Sequence, residues 1–399
     1  MGMRILHLGK YYAPHRGGIE RYVQALAQWT VERGHAVCAL VHQSPGHWRT
    51  GCERMGGVEI HRVGCIAAPM YTPISPGFPF ELARVLGKFK PELLHLHLPN
   101  PSCVAALLSP HARRLPWIVH WHADISPDAR DWRLRGAYFV YRLLERALLA
   151  RASVIIATSA SYRDASVALA PWQAKTRVIP LGTAEDVAAT GTNGAALWPG
   201  DAAVDNGLRL LAVGRLSYYK GFDILIDALA RAPHARLLLV GSGELERSLR
   251  QRASRLDVED RITFAGAVDD DALASACAAA DAFVLPSLDR SEAFGLVLLE
   301  AMRARLPIIA SAIPGSGIGH VMVDGETGLL VKPGDAEALG GAIAELESDP
   351  ALRRRLGDAG HARWQRLFTL EHSATQVLDL YREFLDSPPS LSLDSTHSA

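Results

Sequence analysis

Short apolar runs alternate with amphipathic stretches along nearly the whole chain, and they do so in two separate series. Residues 4–8, 36–42, 93–97, 117–120 and 154–158 read as buried strands, with 177–180 closing the set. Residues 19–33 have helical spacing of apolar positions. A second first strand comes at 208–213, a helix at 222–230, then strands at 235–240, 261–264, 282–285 and 307–311. Such alternation builds parallel sheets covered by helices, so each series predicts a doubly wound α/β domain. At 399 residues the chain is long for one hydrophobic core and comfortable for two. The expected division is 1–183, a linker rich in Ala, Gly, Thr and Asp at 184–207, a second domain at 208–361, a closing helix at 362–386, and a Ser/Pro-rich disordered tail at 387–399.

No run reaches the ~18 apolar residues of a membrane span, and residues 1–8 lack the flanks of a signal peptide. The cysteines, Cys38, Cys52, Cys65, Cys103 and Cys277, are odd in number and form no CxxC pair. They read as reduced thiols of a cytoplasmic protein, outside any disulfide frame or zinc site. Formal charge cancels overall, but residues 1–183 hold 22 Lys and Arg against 11 Asp and Glu, whereas 184–399 hold 20 against 31. One half alone is therefore expected to meet an anionic partner. Nucleic acid is disfavoured because none of its binding motifs is present. The densest basic segment carries Arg130, Arg133, Arg135, Arg142, Arg146 and Arg151, interleaved with Trp132, Tyr138, Phe139 and Tyr141. It suits an anionic membrane surface, each Arg contributing about 1 kcal/mol; a surface helix packing its aromatics into its own domain has the same pattern, and both readings stay open.

The segment Ser291 to Met302 carries the most chemistry. A strand, the polar loop Asp289-Arg290-Ser291 and a helix with Leu296, Leu299 and Met302 in phase form a unit that aims free N–H groups at an anion. Glu292 precedes this helix and Glu300 lies inside it, so they should reach different parts of one ligand; Gly295 allows close backbone approach. Asp269-Asp270-Asp271 is expected to cap a helix rather than hold a metal. A dinucleotide fold is disfavoured, because no G-x-G-x-x-G follows a first strand.

Glu292-x7-Glu300, with Phe294-Gly295 inside it and Leu299-Glu300-Ala301-Met302 at its end, resembles the donor-site signature of family 4 glycosyltransferases. So do Gly17-Gly18-Ile19-Glu20, Trp121-His122-Ala123-Asp124, Gly214-Arg215-Leu216-Ser217-Tyr218-Tyr219-Lys220-Gly221 and Val240-Gly241-Ser242-Gly243-Glu244, and the resemblance covers nearly all of the chain. It implies the GT-B fold, two Rossmann-like domains facing across a cleft with the last helix crossing back, and retaining transfer without a metal or any cofactor beyond the sugar-nucleotide co-substrate. It implies that Arg215 and Lys220 bind the donor diphosphate, that Glu292 contacts the transferred sugar, and that Glu300 binds the ribose. Phe294, Gly295 and Leu296 would offer N–H groups, while Gly241, Gly243 and Val268 would wall the base. Gly17 and Gly18 would form a flexible loop, and His122 would lie near the reacting sugar. Asp124 either orients His122 or caps the following segment. Two departures stand out: Arg305 replaces a helix-ending glycine, and 312–319 is a glycine-rich variant similar to that of bacterial polysaccharide mannosyltransferases. That variant points to GDP-mannose as donor and a polyprenyl-diphosphate-linked saccharide as acceptor, reached from the inner face of the membrane. A UDP-sugar donor, a sugar-nucleotide epimerase and a non-catalytic sugar-nucleotide-binding protein are the alternatives.

Overall fold

The computed structural model describes residues 2–15, 17–69, 72–125, 132–185, 197–198 and 207–386, without the side chains of 132–138 and 140. The chain forms two compact units, one from Met1–Ala157, Pro171–Ile179 and Ala374–Ala399, the other from Thr158–Ala170 and Pro180–Ser373. The division thus departs from a single boundary at 183: residues 158–170 join the second unit, and the chain re-enters the first at 374.

The first unit holds β1 (Arg4–Leu8), β2 (Ala36–His42), β3 (Gly51–Met55), β4 (Val58–Val63), β5 (Leu93–Leu98), β6 (Trp117–Trp121), β7 (Val154–Ala157) and β8 (Thr176–Val178), in the order β3-β4-β2-β1-β5-β6-β7-β8. All pairings are parallel except β3 with β4. The hairpin β3–β4 was not expected. Its outer strand is polar and largely exposed, so it lacks the apolar run of a core strand, but Gly56-Gly57, with φ of 53° and 78°, marks its turn. The central strands are buried on both faces, as helix-covered parallel strands are. His95 and His97 are two apart on β5 and share a face, as do His120 and His122 at the end of β6. Register sets His7 beside His95 and His97 beside His120, so all five imidazoles gather on one face. The helix Gly18–Glu32 covers that face through Tyr22, whose ring is edge-on to His120, and Tyr381 reaches it from the end of the chain.

The second unit holds β9 (Arg209–Val213), β10 (Arg236–Val240), β11 (Ile262–Gly266), β12 (Ala282–Leu285), β13 (Ile308–Ser311) and β14 (Leu329–Val331), all parallel, in the order β11-β10-β9-β12-β13-β14. Leu210, Ala212, Leu237, Leu239 and Val284 form its core with Leu225 and Ile226 of the helix Phe222–Leu229. The single closing helix expected at 362–386 is two helices, Pro350–Leu367 and Leu370–Asp386. Thr369 separates them: its hydroxyl accepts from His372 N, and the chain around it bonds with Thr183, which accepts from Leu370 N and donates to the Phe368 carbonyl. Phe368 is wholly buried at the break.

Candidate active site

In the second unit the loops after β9 and β12 meet. The turn Tyr218–Lys220 follows β9 and ends at Gly221, which is left-handed at φ 64°; a Cβ there would lie 2.1 Å from the Pro286 carbonyl. Glycine thus lets this loop lie on the end of β12, and Leu288 N donates to Tyr219 O at 2.7 Å. The result joins residues far apart in sequence: Lys220 Nζ donates to Glu292 Oε2 at 2.6 Å. Ser287 Oγ donates to the same oxygen at 3.0 Å, and Ser316 Oγ holds the Glu292 carbonyl at 2.5 Å. Both charged side chains are buried. Burial by itself would push the Lys220 ammonium down; the attraction of Glu292 and Tyr219 outweighs it and raises the pKa, against the opposing charge of Arg215. Arg215 is exposed.

The adjoining helix Leu296–Arg303 opens at Gly295, left-handed at φ 78°; Leu298 N donates back to Gly295 O at 2.8 Å, and the N–H groups ahead of it have no acceptor within the helix. Phe294, just before this helix, is buried. Gly241 and Gly243 serve packing: a Cβ on Gly241, whose φ is 138°, would be 1.9 Å from Gly214 O, and one on Gly243 would be 2.4 Å from Leu216 O. These contacts seat the loop after β10 on the loop that carries Lys220. Val268 follows β11, and Asp269 next to it accepts from Ala272 N at 2.8 Å, capping the helix Asp270–Ala279 as expected. Glu300 lines a surface cavity of about 440 Å³ with Glu185, Cys277, Arg303, His361 and Trp364, and neither Lys220 nor Glu292 is in its lining. Arg305 takes the left-handed conformation, φ 58°, that the glycine it replaces would adopt freely.

In the first unit, Gly17 is extended (φ −177°, ψ 156°) and Gly18 is the first residue of a helix, so the expected flexible glycine loop is instead a helix start. His122 Nε2 lies 3.0 Å from His97 Nδ1, and His97 Nε2 lies 2.9 Å from His7 Nδ1. His95 Nδ1 pairs with the Tyr381 hydroxyl at 2.6 Å. Burial pushes His7 and His122 down to about 3 and holds His95, His97 and His120 well below the usual imidazole range, so the cluster is neutral. Sequence reading singled out His122, took His120 as a structural histidine of the same strand, and missed His7, His95 and His97; the signal was two His-x-His repeats. Asp124 accepts from the Trp121 indole at 3.0 Å. Glu145, also missed, is buried and pushed up to about 7, by burial first and then by the charge of Asp124.

Of the basic segment, Arg130 lies outside the described residues, as do the side chains of Trp132, Arg133 and Arg135; Arg142 is exposed on the helix Trp132–Arg151. Phe139 and Leu143 face solvent, while Tyr141 and Leu148 are buried. Among the described residues no helix is long and apolar enough to cross a membrane.

Two doubly wound units, with a buried cation beside a helix N-terminus on the second, define a glycosyltransferase of the GT-B class. Residues 201–363 match the family described as Glycosyl transferases group 1, and residues 17–182 match the Glycosyl transferase 4-like domain. The O-antigen chain mannosyltransferase C of Escherichia coli is 32% identical, over 96% of this chain and all of its own length. The D-rhamnosyltransferase WbpZ of Pseudomonas aeruginosa is 31% identical over 92% of each chain. Among solved structures, sucrose-phosphate synthase from Thermosynechococcus elongatus superposes with a TM-score of 0.78 at 27% identity, over 96% of this chain and 99% of that one. The chain belongs to the family 4 glycosyltransferases.

Proposed function

We propose that the protein is a retaining, metal-independent hexosyltransferase that moves mannose from GDP-mannose to a polyprenyl-diphosphate-linked saccharide in bacterial surface polysaccharide assembly. The observation that carries this reading is the buried Lys220–Glu292 pair next to the helix that starts at Leu296. A sugar nucleotide leaves a diphosphate whose charge must be neutralised as the glycosidic bond breaks. Lys220, with the exposed Arg215 and the N–H groups of Phe294, Gly295 and Leu296, supplies fixed positive potential for it. Glu292, now held by Lys220 and Ser287, would turn to the sugar hydroxyls. Glu300 would take the ribose, and Val268, with the loop at Gly241 and Gly243, the base. The Asp269 carboxylate, first of the acidic run 269–271, is engaged as a helix cap. The mannosyl reading draws on the mannosyltransferase relative; the rhamnosyltransferase at nearly the same identity keeps the sugar open to test.

The acceptor would be met by the basic first unit at the inner face of the cytoplasmic membrane, through Arg130, Trp132, Arg133, Arg135 and Arg142. Flotation with anionic and neutral vesicles tests this; equal recovery would remove the membrane from the proposal. The donor site is tested by calorimetry of GDP and UDP with the wild type and Lys220→Ala, without metal. Tight GDP binding lost in the variant supports the proposal. Preference for UDP would overturn mannose from GDP-mannose while leaving the diphosphate site, and binding of neither would overturn the site.

A further inference from the structure

Three of the five clustered histidines of the first unit are joined end to end, His7 to His97 at 2.9 Å and His97 to His122 at 3.0 Å. A ring nitrogen lies about 1.1 Å from the centre of an imidazole, so two rings bonded in one line through a hydrogen bond of ordinary length have centres about 5.2 Å apart. The observed centres are 5.2 Å apart for His7 and His97 and 5.3 Å for His97 and His122, with ring planes 13° and 20° apart. Both hydrogen bonds are therefore close to linear, and the three rings lie close to one plane. The remaining two rings stack beside the chain: His95 is 4.3 Å from His97, and His120 is 4.3 Å from His122 at 8°.

The same nitrogens fall into two triads, His7, His95, His97 and His97, His120, His122, with ligand atoms within 4.8 Å of one another. A metal ion would need lone pairs converging from about 2.0–2.1 Å, and imidazole lone pairs lie in the ring plane. Stacked, near-parallel rings send theirs into separate planes, and the end-to-end bonds engage both nitrogens of His97. The orientation favours a hydrogen-bonded chain over a metal centre.

A neutral imidazole has one N–H and one bare nitrogen. In a line of three, both internal bonds must run in the same direction, so the protonation of the two end atoms is linked. With all bonds running toward His122, its Nδ1 carries a proton and His7 Nε2 is bare; with all running toward His7, the reverse holds. Both end atoms are buried and have no hydrogen-bond partner among the described residues. We propose that His97 and His7 are positioning residues that couple the tautomer of His122 to their own, so that its Nδ1 takes its hydrogen-bonding role toward a sugar or phosphate oxygen only together with the whole line. The function assigned to the chain rests on the reading of His122 as part of the transfer site; its existence does not.

The test is ¹⁵N NMR of the histidine rings in the full chain, together with steady-state kinetics. In the wild type His7, His97 and His122 should share one tautomer, all Nδ1–H or all Nε2–H. In His97→Phe, which keeps a ring and removes both bonds, His122 should populate both, and kcat should fall about tenfold with the donor KM nearly unchanged. Should His97→Phe fail to fold, His7→Gln, which leaves the His97–His122 bond in place, should give a smaller change in both readouts. Unlike tautomers among the three rings of the wild type, or an unaltered His122 in folded His97→Phe, would overturn the chain. Stoichiometric Co²⁺ binding abolished by His97→Phe would overturn it as well. Full activity in His122→Ala would overturn the transfer-site reading while the NMR result stood by itself.

Discussion

Replacing Lys220 by Met keeps the stem that packs on Gly214, where a Cβ would be 3.0 Å from Lys220 Cε, and removes the charge that Glu292 meets at 2.6 Å. Glu292 is then buried without its counter-ion, with only the Ser287 hydroxyl on the same oxygen. An orphaned carboxylate can always escape by taking up a proton. From an ordinary carboxylate value near 4.3 this costs about 3.7 kcal/mol at pH 7 and about 1.6 at pH 5.5, and these set ceilings on the penalty. The first lies within the ~3–5 kcal/mol usual for breaking a buried pair. Glu292→Gln has the opposite sign. The orphaned ammonium must lose a proton, and from about 10.4 the ceiling is about 4.6 kcal/mol at pH 7, rising by about 2 at pH 5.5. The assay is urea unfolding of wild type, both single variants and the double variant at the two pH values, each compared with wild type at the same pH. The Lys220→Met penalty should shrink by up to about 2 kcal/mol on acidification, and that of Glu292→Gln should grow. The double variant should recover most of the stability and still fail to bind nucleoside diphosphate. Penalties that respond to pH in the same direction would refute a buried, mutually dependent pair.

Three further outcomes are expected. His7, His42 and His122 are pushed down to about 3, 4 and 3 by burial, so below pH 6.5 the unfolded chain binds protons that the folded chain refuses, and stability falls with pH. At pH 5.5 the loss is about 1.4 kcal/mol per histidine, about 4 together, and a denaturation midpoint constant between pH 7 and 5.5 would contradict it. Asp269→Ala should cost about 1 kcal/mol in thermal unfolding through the lost cap and leave the response of transfer to added chelator as in the wild type. Gly241→Ala forces a Cβ against the Gly214 carbonyl in a backbone conformation few side chains adopt, so calorimetry should show nucleoside diphosphate binding weakened about tenfold or more, together with a lowered unfolding temperature.

The core strands of both sheets were legible because strands buried on both faces must be continuous apolar runs, and the registers around β1, β5, β9 and β12 fall on those runs. The polar edge strand β3 was not legible, since an edge strand carries no such run, and neither was the break at Thr369, where local periodicity continues and only the meeting with Thr183 interrupts it. Glu292, Lys220 and Glu300 could be named from spacing and resemblance. Spacing is blind, however, to the fact that Lys220 lies on Glu292 while Glu300 lines a cavity that neither of them lines, because those partners are set by loops from different strands. The histidines show the same division. Their alternation along β5 and β6 settled by itself that His95 shares a face with His97 and His120 with His122, since side chains in a strand repeat every second residue. Only the parallel pairing of β1, β5 and β6 brought His7, His97 and His122 into one line, because register between strands depends on the packing of the whole sheet.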